Sequence, residues 1–147
     1  MDRDILHKEI DLIQSCITRM ASNSFMLKGW AISIVAVVLA LADKLIGATL
    51  LSVIMLIPLV SFWYLDAFSL RTEKMYREMY KWVLQKRGAE DITYLYDLNP
   101  LRFEDKVDSI WEVMWSVTLR WFYGIPVTIT LGVIAYRILQ SYAYCGL

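Results

Sequence analysis

The sequence predicts an all-α membrane protein with three transmembrane helices and long cytoplasmic helical extensions, N-terminus inside and C-terminus outside. Three observations carry this expectation. The 147 residues are 58% hydrophobic and 20% charged, with mean hydropathy +0.45, more apolar than an ordinary soluble domain. Three apolar stretches approach or reach the length needed to cross hydrocarbon. Lysine and arginine are distributed unevenly around those stretches, which sets a direction of insertion. The length supports a single membrane domain spanning 1–147.

Residues 1–28 form an amphipathic extension. Leu6, Ile10, Ile13, Ile17 and Met20 recur at spacings of four, three, four and three, a heptad-like seam that another helix must cover. These five are the candidates for helix pairing and oligomerisation. The opening MDRDILHKEIDL lacks the basic start, apolar stretch and small-residue cut site of a cleavable signal, so the N-terminus is expected to stay in the cytoplasm. With no proline in the way, the helix is expected to continue into the first span, residues 28–42. There Lys28 can extend its ammonium toward water while its stem stays in apolar surroundings.

Asp43 and Lys44 make a tight turn into the second span, residues 45–65, LIGATLLSVIMLIPLVSFWYL, which carries no charge. At 1.5 Å per residue it reaches about 32 Å, the thickness of a bilayer core. Pro58 within it is tolerable in lipid, where Ser61 or a neighbouring helix can satisfy freed backbone groups.

Residues 66–120 read as a cytoplasmic helix, loop and helix. Phe68, Met75, Met79 and Trp82 make a stripe widened by Tyr76, Tyr80 and Val83. Glu73 and Arg77 stand in the favourable i,i+4 order, and Gly88 marks a stop. This stripe and the N-terminal seam are expected to pair as an antiparallel hairpin. Residues 88–105 read as an irregular acidic connector, with a turn at Asn99-Pro100. Val107, Ile110, Trp111, Met114 and Val117 then return to helical spacing and lead into the third span, residues 121–139, with Arg137 near its far end.

Four of the fifteen basic residues fall in 1–28 and nine in 66–120, with one each in the Asp43-Lys44 turn and at the C-terminal end. Thirteen of fifteen thus lie on one side when the N-terminus and the middle region are cytoplasmic. Trp30, Phe62-Trp63-Tyr64 and Trp121-Phe122-Tyr123 fall at that interface, where amphipathic rings prefer to sit, while Tyr142 and Tyr144 mark the far side. The same topology separates Cys16 from Cys145, so no disulfide is expected within a protomer.

Little here points to catalysis. His7 is the single histidine, the six glycines are scattered, and no nucleophile elbow, Cys–His pair or metal-ligand triad can be assembled from local spacing. No enzyme activity, catalytic residue, cofactor or metal is therefore expected. Balanced charge, fifteen basic against fifteen acidic, gives no field to recruit nucleic acid. Charges in the spans cluster at their ends, and Asp66, Arg71 and Arg77 are the candidates for a cytoplasmic mouth.

Two segments carry a resemblance. One is Ile17-Thr18-Arg19-Met20-Ala21-Ser22-Asn23-Ser24-Phe25 followed by Lys28-Gly29-Trp30. The other is Phe62-Trp63-Tyr64-Leu65-Asp66-Ala67-Phe68 with Leu70-Arg71, Glu73-Lys74 and Tyr76-Arg77. Together they resemble the RipA-type family of small octameric bacterial membrane proteins, with a weaker echo at Leu98-Asn99-Pro100 and in the third span. The resemblance implies a homo-oligomer, an octamer, in the bacterial inner membrane. In plan the chain is also similar to pore-like membrane effectors of antiviral defence, in which a cytoplasmic part senses infection and the membrane part disturbs the bilayer. The arginine–histidine spacing of a HEPN-type nuclease is not met. The expectation is a pore or membrane-perturbing effector whose partners are itself, the lipid bilayer and a cytoplasmic protein trigger. The alternative is a non-conducting oligomeric scaffold that docks a cytoplasmic partner through the acidic loop.

Overall fold

Two very long helices account for more than half of the chain. A computed structural model describes residues 3–41, 48–89 and 91–145, and these contain no strand. Helix α1 is Arg3–Leu41 and α2 is Ala48–Gly88; a 3-10 helix follows at Pro100–Lys106, then a short α3, Ile110–Met114, and α4, Val117–Cys145. The protein is thus all-helical. Three helical stretches, Asp4–Val38, Leu50–Gly88 and Val117–Gln140, are long and apolar enough to cross a membrane. The Asp43-Lys44 turn and Glu90 lie outside the described residues, as do the side chains of Arg137, Tyr142, Tyr144 and Cys145.

Each boundary has a local cause. Asp4 sits in the first turn of α1 and Lys86 and Arg87 in the last turn of α2, each matched in sign to its helix end. Pro58 lies inside α2 without ending it, and close by the Ser61 hydroxyl donates to the Ile57 carbonyl at 2.9 Å. After Gly88, the amides of Ala89 and Asp91 both donate to the Lys86 carbonyl at 3.1 Å, closing the helix. Asn99 caps the 3-10 helix by accepting from the Leu101 amide, with Pro100 at its first position. Ser109 and Glu112 form a reciprocal capping box on α3: the carboxylate accepts from the Ser109 amide at 2.7 Å and the Ser109 hydroxyl from the Glu112 amide at 3.3 Å.

Two compact units share these helices. The first comprises residues 1–25 and 67–113. Its core is Ile13 and Cys16 of α1 against Met75, Tyr76, Met79 and Val83 of α2, closed by Phe103 of the 3-10 helix. The second comprises residues 26–66 and 114–147. There Ala31, Leu51, Met55, Leu59, Trp63, Leu119 and Tyr123 are buried.

Within the chain, the seam residues face the core of the first unit. Ile13 is fully buried, Leu6, Ile17 and Met20 pack against the core, and Ile10 is half-buried. Three details differ from the sequence reading. Phe68 is 51% exposed and Ala67 is wholly buried beside it, so the α2 stripe turns away from Phe68. The helical pattern from Val107 to Val117 is not one helix: α3 lasts five residues, and α4 begins afresh at Val117, four residues before the expected third span. The 88–105 connector is also less irregular than its composition implies, because it contains most of the 3-10 helix.

Candidate functional site

The first unit is held at one end by a buried ion pair. Arg87 of α2 donates from Nε to Glu9 Oε2 at 2.9 Å and from Nη2 to Glu9 Oε1 at 2.8 Å, a bidentate contact between side chains 0% and 2% exposed. The remaining Arg87 nitrogen donates to the carbonyls of Asp91 and Thr93, and the Tyr96 amide donates to Glu9 Oε1 at 3.3 Å. Two charges taken out of water are costly unless their other hydrogen-bonding positions are filled. Here they are filled by the backbone of the acidic loop, so one pair joins α1, α2 and that loop.

The loop is organised beyond this anchor. Asp91 accepts from the Thr93 amide and hydroxyl and pairs with Lys86 at 3.1 Å; the Thr93 hydroxyl, then its amide, then Lys86 hold this carboxyl well below the usual range. Tyr94 and Tyr96 adopt left-handed backbone, φ 58° and 60°, unusual for residues with a side chain. The Arg102 guanidinium lies 3.7 Å over the Tyr94 ring and 4.9 Å from Trp82, and donates to Asp97 at 3.0 Å.

Further along, Arg71 donates to Glu104 at 2.9 Å and to the Asp108 carbonyl at 3.0 Å. Lys74 pairs with Asp108 at 2.5 Å and pulls that carboxyl below its ordinary value. A 610 Å³ groove runs here, lined in part by Gln14, Ile17, Arg77, Tyr80, Lys81 and Lys106. Arg77, paired with Glu73 at 2.6 Å, is exposed.

The second unit contains a different buried charge. The Asp66 side chain is wholly enclosed, with Lys28 Nζ 2.6 Å from its Oδ2 and the Tyr123 hydroxyl donating to the same oxygen at 3.1 Å. Lys28 comes from α1, Asp66 from α2 and Tyr123 from α4, so this cluster ties all three helices. One turn before Asp66, the Trp63 indole donates to the Met114 carbonyl at 2.9 Å, and its ring stacks on Tyr123 and meets Trp115 edge-on. A carboxylate in such apolar company is tolerable only with a cation and a hydroxyl at hand.

The sequence-based mouth candidates fall in both units. Asp66 is enclosed in the second unit, while Arg71 and Arg77 belong to the first, facing the 3-10 region and solvent. The Glu9–Arg87 pair was not anticipated. Its signal, a carboxylate and a guanidinium 78 positions apart, has no local pattern. The Ser109-x-x-Glu112 capping box was legible and would have placed the start of α3. Among the described residues no group of three or more His, Cys, Asp or Glu stands close enough to hold a metal ion. No family model, curated protein or solved structure matches the chain.

Proposed function

We propose that this protein is a homo-oligomeric, multi-pass protein of the bacterial inner membrane whose assembled spans open a pore or perturb the bilayer. The observation that carries the reading is uncovered apolar surface. In the three apolar helices only 11%, 33% and 12% of the most hydrophobic window is buried within the chain. Large side chains such as Ile32, Ile57 and Ile129 face outward. Water would penalise this surface, whereas lipid and further copies of the chain would not.

The proposed sidedness, N-terminus in and C-terminus out, draws support from the first unit. The Glu9–Arg87 bond supports a reading in which the N-terminal helix and the end of α2 lie on the same side, and the basic-residue bias favours the cytoplasm as that side. The C-terminus then lies outside. Three spans of one protomer are too few walls for a conduit, so conduction requires several copies; the RipA-type resemblance makes the number eight. A role in antiviral defence rests on likeness of plan alone, with the cytoplasmic unit as the part that receives a protein trigger. The role is non-enzymatic. The test is release of a dye trapped in liposomes carrying the purified protein. Release that scales steeply with protein-to-lipid ratio supports the pore, and intact liposomes at every ratio overturn it.

A second reading, a non-conducting scaffold, is favoured by the order of the 91–108 segment. It is pinned by Arg87 and Arg71, is braced internally by Arg102 on Asp97, and presents Ile92, Tyr94 and Leu101 outward. Recovery of the same cytoplasmic proteins by wild type and an I92E/L101E variant would remove this reading.

A further inference from the structure

The α4 face beginning at Arg120 has the shape and charge of a site for one amphiphile. Arg120, Gly124, Thr128 and Leu131 follow one another at spacings of four, four and three, so they share a face, and with Trp115 and Trp121 they line a trough of 470 Å³. From Arg120 to Leu131 the helix rises about 16 Å. That is close to half of the roughly 30 Å hydrocarbon core, the depth of one leaflet.

Chemistry changes along that length. At one end stands the Arg120 guanidinium, 5.8 Å from the Trp121 ring, with no ion pair to a carboxylate among the described residues. Beyond it the trough is apolar: Thr128 directs its hydroxyl to the Ile125 carbonyl at 2.9 Å, leaving its methyl for the wall. Gly124 leaves the floor open. A Cβ placed there meets nothing closer than Arg120 Cγ at 3.9 Å, so a larger side chain grows into the trough without a clash at its root.

We infer that this trough binds one acyl chain of an anionic phospholipid, with the lipid phosphate on Arg120 beside Trp121. One cation at the head of an apolar channel one leaflet deep matches one anionic headgroup and its tail, and arginine is the side chain suited to phosphate. The site rests on the membrane reading above, and its test separates the two.

The experiment uses the whole protein in phosphatidylcholine vesicles doped with brominated phosphatidylglycerol or brominated phosphatidylcholine, reading tryptophan quenching. Wild type is expected to show a roughly five-fold local enrichment of the anionic lipid, the scale of one basic residue at an anionic surface. Arg120→Gln should abolish the preference and Arg120→Lys should keep most of it. Gly124→Leu, which fills the trough and keeps the charge, should weaken quenching by both lipids. Equal quenching by the two headgroups in wild type, or a preference surviving Arg120→Gln, overturns the site while leaving insertion intact. A Gly124→Leu protein with unchanged quenching and a changed oligomeric size also overturns it, and assigns the face to a second copy. No quenching by either lipid sinks the membrane reading itself.

Discussion

Glu9 and Arg87 show how much a single contact can organise. Glu9→Gln leaves a buried guanidinium facing a neutral amide, and loss of one partner of such a pair costs about 3–5 kcal/mol. The expected outcome is a marked fall in the unfolding midpoint of the detergent-solubilised protein. A Glu9→Leu/Arg87→Met double variant should recover much of that midpoint, because an apolar pair of similar volume needs no solvation. It should nevertheless be cut faster by protease between residues 91 and 96, since Arg87 also holds the Asp91 and Thr93 carbonyls. The carboxylates nearer the surface behave differently. Asp91, Asp108 and Glu112 all have lowered pKa values in the fold, set by Thr93, Lys74 and Ser109 respectively. Their folded state prefers the ionised form, so their contribution is complete above the ordinary carboxylate range near about pH 4 and is lost as pH falls through the lowered values. Protection of the 91–112 segment against pepsin should therefore hold at about pH 5 and decline well below pH 4, and earlier in Asp91→Asn.

At the scale of elements, the α1–α2 packing was largely legible because period alone reveals it. The seam from Leu6 to Met20 and the stripe through Met75 and Met79 each repeat at helical spacing, and nothing but another helix covers such a stripe. Met79→Ala should thus cost about 2–5 kcal/mol, as for other fully buried long side chains, while Phe68→Ala should cost under about 1 kcal/mol. Urea or heat unfolding of the two variants side by side checks the contrast. Period could not show that α2 turns its stripe from Phe68 to Ala67, because both are apolar and one position apart. The acidic connector was illegible for another reason. Its order comes from Arg87 and Arg71 reaching in from α2 and from Arg102 bracing Asp97 and Tyr94 within the segment itself, and composition reads such a segment as solvated. The Asn99-Pro100 turn signal was correct in place but incomplete in consequence, since the same two residues start a 3-10 helix whose Phe103 closes the core.

For the whole molecule, the three apolar helices were the plainest feature of the sequence, and Asp66 was the least readable. A carboxylate at the end of a span looks like a terminus facing water, yet it is enclosed by Lys28 and Tyr123, brought from helices distant along the chain. The proposed sidedness has a direct check. In a Cys16→Ser variant, Cys145 is the remaining cysteine, and an impermeant maleimide should label it on intact spheroplasts as strongly as on lysed cells. Labelling that requires lysis reverses the topology. The 78-position gap between Glu9 and Arg87 also has a consequence in time. A ribosome adding 5–20 residues per second takes about 4–16 s to make Arg87 after Glu9. Throughout that interval the nascent N-terminal helix carries its oily seam without a mate, so it must be shielded by the translocation machinery or a holdase. A message truncated before the codon for Met75 would leave that shielding permanent, and its product should accumulate on the chaperone or be degraded.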